Sequence, residues 1–262
     1  MAPIVALVTV LLFFSTSDAA SHESSAVYII GGNSTDIKQH PYQVAIWSNK
    51  EFRGSGALVT KHWAISTASI LVGFDADTLV VRAHSSLASS GGEVFNVSKK
   101  LIHPRFRFSN MTFDVALLRL RRPLMTSSSA DGVTSLSTIP LARTSLPFDS
   151  TAILSGWGST TKTAKMSDQL LQTSVSPVCL TECQQSYERR LLRTVFCAAA
   201  DHVYGPCWGD SGDLLVYNGK LYGLLSWNQG CYDQAVPSVF TDIHKVRPWV
   251  FRAIRRHSHQ ES

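Results

Sequence analysis

Short apolar stretches separated by polar turns dominate this chain. The runs YQVAIW, TLVVRA, VALLRL, AILSGWG, LYGLLSW and SVFTDI are rich in β-branched, leucine and aromatic residues, and Gly, Ser, Asn or Pro residues separate them. Each run has the length of a β-strand, and no stretch before the C-terminal region keeps a strong helical repeat of apolar positions. The pattern therefore predicts an all-β protein.

The C-terminal region has a different pattern. In the run HKVRPWVFRAIRRHSH, residues 244–259, Val246, Val250 and Ile254 recur every four positions, and the arginines fall mostly outside that stripe. This spacing predicts an amphipathic helix over about 244–257 that packs its apolar stripe on the domain. Its basic face is either an ordinary solvated surface or a patch that binds an acidic partner.

The N-terminal residues have the features of a secretion signal. The apolar run from Ile4 to Phe14 is too short to span a bilayer, and small residues, Ser17 and Ala19, follow at the −3 and −1 positions of a cleavage site. We therefore predict a signal peptide over residues 1–19 and a secreted, extracellular protein. No later segment has the length of a transmembrane helix, so we expect no membrane association.

Composition and charge limit the class of protein. A chain of 262 residues with 44% hydrophobic and 16% charged residues is expected to fold. The formal net charge of +5 becomes +7 without residues 1–28, with 24 basic against 17 acidic side chains. Nothing resembles a nucleic-acid-binding module. We expect an extracellular protein partner and no nucleic acid, and the excess of basic side chains favours an acidic partner.

Two further features fit a secreted chain. Three sequons, at Asn33, Asn96 and Asn110, are candidate glycosylation sites. Five cysteines are candidate disulfide partners, and an odd number leaves at least one thiol unpaired. They are Cys179, Cys183, Cys197, Cys207 and Cys231. Their spacing alone does not determine the pairing.

One segment contains a candidate nucleophile. Ser211 lies inside Gly-Asp-Ser-Gly in the stretch CWGDSGDLL, residues 207–215. A serine hydroxyl is a weak nucleophile unless a neighbouring base takes its proton. The sequence must therefore supply a base elsewhere if Ser211 is catalytic.

Eight segments, in order, resemble the landmark segments of the trypsin-like serine proteases. They are IIGG at 29–32, HPYQVAIW at 40–47, WAISTAS at 63–69, FDVALLRL at 113–120, SGWG at 155–158, CWGDSG at 207–212, LLSW at 224–227 and VPSVFTDI at 236–243. The resemblance implies two six-stranded antiparallel β-barrels, over about 29–125 and 140–243, with a cleft between them and a C-terminal helix. It also implies a short pro-segment over residues 20–28 and a trypsin-like domain over 29–262.

The resemblance implies roles for residues that match the family by position. Asp114 matches the aspartate that orients the catalytic histidine, and Ser211 matches the nucleophile. The amides of Gly209 and Ser211 match the oxyanion hole, and Asp210 matches the carboxylate that receives the new N-terminus after activation. No metal and no cofactor are implied.

The catalytic histidine is not matched. Ser69 stands in its place, and Ile70 stands in the place of the following cysteine. A serine hydroxyl does not accept a proton near neutral pH, so it cannot act as the base for Ser211. We therefore predict a degenerate triad of Ser69, Asp114 and Ser211 and a protein that is not an enzyme.

The specificity pocket also departs from the family pattern. Asp213 stands where only glycine fits, so it must find a partner, raise its pKa or move the backbone. Gly205 replaces the specificity aspartate of a trypsin, Asn228 and Ser238 replace two wall glycines, and Trp208 stands at the rim. These changes fit either another specificity or a closed pocket. With the histidine also absent, we predict an occluded pocket.

Activation and disulfide bonding differ from the family as well. Tyr28 precedes Ile29 where trypsin-like zymogens have Arg or Lys, so either another protease cleaves there or the Ile29–Asp210 ion pair never forms. Family positions imply the bridges Cys183–Cys197 and Cys207–Cys231 and leave Cys179 free or intermolecular. Two other family bridges are replaced on both sides, by Gly54 with Ile70 and by Ala152 with Tyr217.

The resemblance implies a secreted pseudoprotease that acts by binding, as a decoy or modulator of host or endogenous proteolytic cascades such as complement. In its joint loss of catalytic and pocket residues, the chain resembles the inactivated protease paralogues of parasitic mites. Their implied role is immune evasion through complement inhibition. Two alternatives remain open. One is a weakly active serine hydrolase with a substitute base, and the other is a polyanion-binding protein that uses the basic helix.

Overall fold

Most of the predicted domain is present in a computed structural model of the chain. The structure describes residues 32–124, 138–159, 166–187, 191, 193–200, 210–228 and 236–258. The predicted signal peptide and pro-segment lie outside these residues, as do residues 125–137 between the two predicted barrels. Among the described residues, no helix combines the length and the hydropathy needed to cross a bilayer.

Six antiparallel strands close the first barrel. In order around the barrel they are β2 (Gln43–Ser48), β3 (Glu51–Thr60), β4 (Trp63–Ser66), β7 (Ala116–Leu120), β6 (Glu93–Ile102) and β5 (Leu79–Ala83), and a 3-10 turn, Ala76–Thr78, precedes β5. Buried and half-buried residues alternate along β5. The alternation follows the two-residue repeat of a strand, and Val44, Leu58 and Phe95 fill the barrel interior.

A second ring of six strands forms the other half. In order they are β8 (Ala152–Gly156), β9 (Leu171–Val178), β10 (Val195–Ala200), β13 (Ser238–Asp242), β12 (Lys220–Trp227) and β11 (Leu214–Tyr217), with β1 (Asn33–Ser34) added beside β9. The ring closes because β11 pairs with β8. A short helix, α1 (Leu180–Ser186), connects β9 to β10. The predicted all-β fold of two barrels is confirmed.

The C-terminal helix, α2 (Ile243–Ser258), begins directly after β13. It buries Ile243, Val246 and Val250 in an apolar cluster to which both barrels contribute. Two of the three residues predicted for its apolar stripe are therefore buried, and Ile254 is half-buried at the edge of the same cluster. The helix packs against the junction of the two barrels.

The cysteines of the described residues agree with the family pattern. Cys183 in α1 and Cys197 in β10 form the predicted disulfide, and Cys179 is a free, exposed thiol. Cys207 and Cys231 lie outside the described residues, so their bridge stays a prediction. Where the 54–70 bridge is lost, a Cβ built at Gly54 would lie only 2.8 Å from Ile70 Cδ1. The isoleucine side chain therefore occupies the space beside Gly54.

The three sequons lie in accessible positions. Asn33, Asn96 and Asn110 are all exposed. Exposure is what attachment of a glycan requires, and glycosylation itself stays a prediction.

Candidate active site

Asp114 and Ser69 are in direct contact. Asp114 is fully buried just before β7, and the loop after β4 brings Ser69 to it. The Ser69 amide donates to Asp114 Oδ1 at 2.7 Å, and the Ser69 hydroxyl donates to Oδ2 at 2.9 Å. The structure thus brings together two of the three predicted triad positions.

A further serine completes the surroundings of Asp114. The Ser226 hydroxyl of β12 donates to Asp114 Oδ2 at 2.5 Å, and Thr241 Oγ1 donates to the Asp114 backbone carbonyl at 2.8 Å. Sequence reasoning assigned no role to Ser226, although the LLSW landmark at 224–227 contains it. Burial raises the pKa of the Asp114 carboxyl, and the hydrogen bonds from Ser226, Ser69 and Ala68 oppose that rise.

Within the described part of the chain, the side-chain donors to the Asp114 carboxyl are serines, and no histidine hydrogen-bonds to it. His62, the nearest histidine in sequence to Ser69, is exposed. His103 instead stacks on Phe113, with ring centroids 4.4 Å apart. Burial, with Arg105 and Arg252 nearby, lowers the pKa of His103 to about 4.

The Ser211 turn packs against the first barrel. The Ser55 amide of β3 donates to the Ser211 carbonyl at 3.1 Å. Gly212 has φ of +87°, and a Cβ there would lie 2.1 Å from the Ser55 carbonyl oxygen, so only glycine fits. The Ser211 side chain is partly buried and makes no hydrogen bond within the described residues. Its position is fixed by the backbone rather than by a triad contact.

Asp213 is the most unusual residue of this turn. Its side chain is fully buried, Ser55 Oγ donates to its Oδ1 at 2.5 Å, and its Oδ2 has no hydrogen-bond partner in the part of the chain that the structure describes. Its carboxyl lies against Gly156, where a Cβ would come within 2.0 Å of all three carboxyl atoms. Burial, and then the neighbouring Asp210, raise the pKa of Asp213 well above its usual range, which favours the neutral acid. Both the partner and the raised pKa were among the predicted outcomes.

Asp210 is buried one turn away. Its backbone carbonyl accepts from the Asp213 amide at 2.9 Å, and its side chain lies directly against Gly158. The two carboxyls therefore share one region of low polarity. Its expected ion pair with Ile29 and the oxyanion amide of Gly209 lie outside the described residues.

Two of the residues predicted to occlude the specificity pocket, Asn228 and Ser238, are among the described residues. Asn228 follows the end of β12 and is half-buried, and Ser238 begins β13 and is buried. The two residues lie at neighbouring strand ends, because Trp227 pairs with Val239. Gly205 and Trp208 lie outside the described residues, so occlusion of the pocket stays a prediction. The described residues contain no cluster of three His, Cys, Asp or Glu side chains that could bind a metal.

Comparison with known proteins places the chain in a family. Residues 29–250 match the family described as Trypsin. The chain belongs to the trypsin family. Trypsin alpha of Drosophila melanogaster is 32% identical over 226 residues, which cover 85% of this chain and 86% of that trypsin. Trypsin delta of Drosophila erecta is 32% identical over 228 residues, which cover 86% of this chain and 87% of that relative.

Two solved structures share the trypsin fold. The scabies mite inactivated protease paralogue S-D1 is 24% identical, with a TM-score of 0.78, and the alignment covers 86% of this chain and 97% of that one. Neuropsin, a serine protease expressed in the limbic system of mouse brain, is 23% identical with a TM-score of 0.76 over 85% and 98% of the two chains. At these identities the likeness concerns the fold alone.

The comparisons correct one prediction. The expectation that the chain is not an enzyme is wrong, because the sequence relatives are named trypsins, which are active proteases. That expectation rested on one position, Ser69, whereas the similarity to trypsins extends over most of the chain. Ser69 therefore stands as a substitution within a family of enzymes.

Proposed function

We propose that this trypsin-family chain is secreted and acts mainly by binding another extracellular protein, and that it thereby modulates a proteolytic cascade such as complement. The supporting observation is the contact between Ser69 and Asp114. The Ser69 amide and hydroxyl occupy the carboxylate that would otherwise orient a catalytic base, while the trypsin fold around it is kept. Binding does not require that base.

Cleavage at Ser211 is expected to be slow in this arrangement. In a serine protease dissected by mutation, loss of the histidine alone lowers kcat by about 2 × 10⁶-fold. The Ser69 hydroxyl donates a hydrogen bond to Asp114, and a serine hydroxyl does not accept a proton near neutral pH. A role that depends on binding therefore fits the site better than one that depends on rapid turnover.

A second candidate is slow hydrolysis as the main function. Two observations favour it: the relatives are named trypsins, and Asp114 keeps its buried position with Ser226 as a donor. Ser211 also remains in the family's nucleophile position. In this case a base other than Ser69 takes the proton from Ser211.

One pair of measurements separates the two candidates. The purified chain and its Ser211→Ala variant are added to mammalian serum, and complement-mediated haemolysis is measured. The same samples are tested on Arg, Phe and Ala ester substrates. Under the binding proposal, both proteins change haemolysis to the same extent, because Ser211 is not needed for binding.

Two other results would contradict the binding proposal. If Ser211→Ala abolishes both the effect on haemolysis and ester hydrolysis, the chain acts as a hydrolase. If neither protein changes haemolysis or the activation of other serum proteolytic cascades, the modulator role is wrong.

A further inference from the structure

A groove beside the C-terminal helix shares no residue with the Ser69–Asp114 site. It has a volume of about 330 Å³ and opens between β3, the segment 138–143 and α2. Val59, Pro140, Val250 and Ile254 form much of its apolar wall. The volume is at the lower end of the range for small-ligand pockets, which is enough for one or two side chains.

Two arginines border this groove. Arg143 is exposed, and the Arg247 guanidinium lies over the Phe251 ring, 4.5 Å from its centroid. Arg247 Nε is buried and has no hydrogen-bond partner among the described residues. No Asp or Glu is among the residues that line the groove, and within the described residues neither arginine forms an ion pair. The groove thus offers two cations beside an apolar wall, and none of its described lining residues is an acid.

The positive charge continues along the helix. Arg247, Phe251 and Arg255 are four residues apart, so they lie along one face of α2 over about 12 Å. The helix sequence contains no Asp or Glu, and Arg252 and Arg256 are also exposed. An extended segment of about four residues has the same length. A surface of this shape and charge fits an extended anion better than a compact one.

We propose that this groove binds an acidic segment of an extracellular protein, with an aliphatic or aromatic side chain in the apolar pocket and carboxylates on Arg143 and Arg247. The proposal rests on the proposed function, since it names the surface through which binding occurs. Charge complementarity selects the acidic character of the segment. The apolar wall selects a polypeptide over a sulfated polysaccharide, which has no apolar side chain to fill the pocket.

The test uses a fluorescein-labelled peptide, Glu-Asp-Phe-Glu-Glu-Leu-Asp, and fluorescence anisotropy at low and physiological salt. One control peptide replaces Phe and Leu by Gly, and another replaces every acid by its amide. We expect the labelled peptide to bind at least about tenfold more tightly than either control, because each control lacks one of the two contributions. Equal binding of the acidic peptide without Phe and Leu overturns the proposal in favour of a general polyanion surface.

Matched variants locate the site. Arg143→Glu with Arg247→Gln is expected to weaken binding by at least about tenfold. The control pair, Arg107→Glu with Lys50→Gln, makes the same change in net charge at exposed positions outside the groove, and its affinity should stay near that of the unmodified chain. If both pairs weaken binding equally, only net charge matters and the groove is not the site. If the Arg247 change impairs folding, the single change Arg143→Glu at an exposed position still tests whether the groove binds the peptide.

The same variants separate this proposal from the proposed function. If Arg143→Glu with Arg247→Gln loses peptide binding but still modulates haemolysis, the groove is not the functional surface and the modulator role stands. If the unmodified chain binds the peptide and its haemolytic effect is absent, the groove stands as an acidic-segment site and the modulator role fails.

Discussion

Two buried aspartates, Asp114 and Asp213, differ in the number of hydrogen-bond donors that contact their carboxyl groups. Asp114 accepts hydrogen bonds from the Ser69 amide, the Ser69 hydroxyl and the Ser226 hydroxyl. Among the described residues, Asp213 has one donor, Ser55, and one oxygen without a partner, and the Asp210 carboxyl lies nearby. Both side chains are inaccessible to solvent. Burial raises the pKa of both, and only at Asp114 do several donors oppose it.

The two sites differ in how far hydrogen bonds compensate a buried acid. Ser69 and Ser226, which donate to Asp114, lie in segments that resemble family landmarks. Asp213 stands where the resemblance implies glycine, and among the described residues Ser55 alone donates to its side chain. Several hydrogen bonds therefore oppose the rise in the pKa of Asp114, whereas burial and the neighbouring Asp210 together raise the pKa of Asp213 with only Ser55 opposing them.

Removal of the Asp114 side chain should have the largest effect on stability. Asp114→Ala leaves the amide and hydroxyl of half-buried Ser69 and the hydroxyl of buried Ser226 without their acceptor. We expect the free energy of unfolding to fall by about 3–5 kcal/mol. Urea denaturation followed by tryptophan fluorescence measures the change. Asp213→Ala is the matched comparison, and a loss there as large as that of Asp114→Ala would contradict the contrast between the two sites.

Neutralisation of Asp213 should stabilise the protein. Asp213→Asn keeps the shape and can still accept from Ser55, while it removes the cost of holding a carboxyl beside Asp210. We expect the free energy of unfolding at pH 7 to rise by about 1–3 kcal/mol. Denaturation of both proteins at a series of pH values measures the change.

The pH dependence of this effect has a definite sign. The folded pKa of Asp213 lies above its usual value of 3.8, so the folded state binds more protons than the unfolded state once the pH exceeds about 4. The contribution of Asp213 to stability is therefore greatest below that pH and falls as the pH rises toward the folded pKa. The advantage of Asp213→Asn should grow from pH 4 upward. If the stability advantage of Asp213→Asn instead shrinks as the pH rises from 4, Asp213 is ionised and well stabilised in the folded protein.

The fold was predictable from sequence because its determinants are local and repeated. Strand-length apolar runs and the helical repeat of Val246 and Val250 predict elements that the structure confirms. The Cys183–Cys197 bridge followed from family positions. Each of these features can be predicted from one segment of the sequence or from one match to the family.

The site was less predictable because its contacts join distant segments. Ser226 lies 112 positions from Asp114, and Ser55 lies 158 positions from Asp213. The sequence indicated that Asp213 needs compensation, and it did not indicate which residue supplies it. Position 69 alone also led to the wrong prediction that the chain is not an enzyme, since similarity over the whole chain places it among trypsins.

The change Ser69→His should have the smallest effect of these substitutions, and it tests whether the turn that carries Asp213 limits ester hydrolysis. Ser69→His places an imidazole beside Asp114, whose carboxylate already accepts from position 69. If the Asp213 turn limits the site, ester hydrolysis should rise by less than about tenfold, because a general base contributes fully only when the nucleophile and oxyanion donors are correctly placed. Adding Asp213→Gly to Ser69→His should then raise the rate further, with Ser211→Ala in each background as the control. Rapid labelling of Ser69→His by a serine-reactive phosphonate would contradict this expectation, because the Ser211 turn would then be competent with Asp213 in place and the base alone would have been missing.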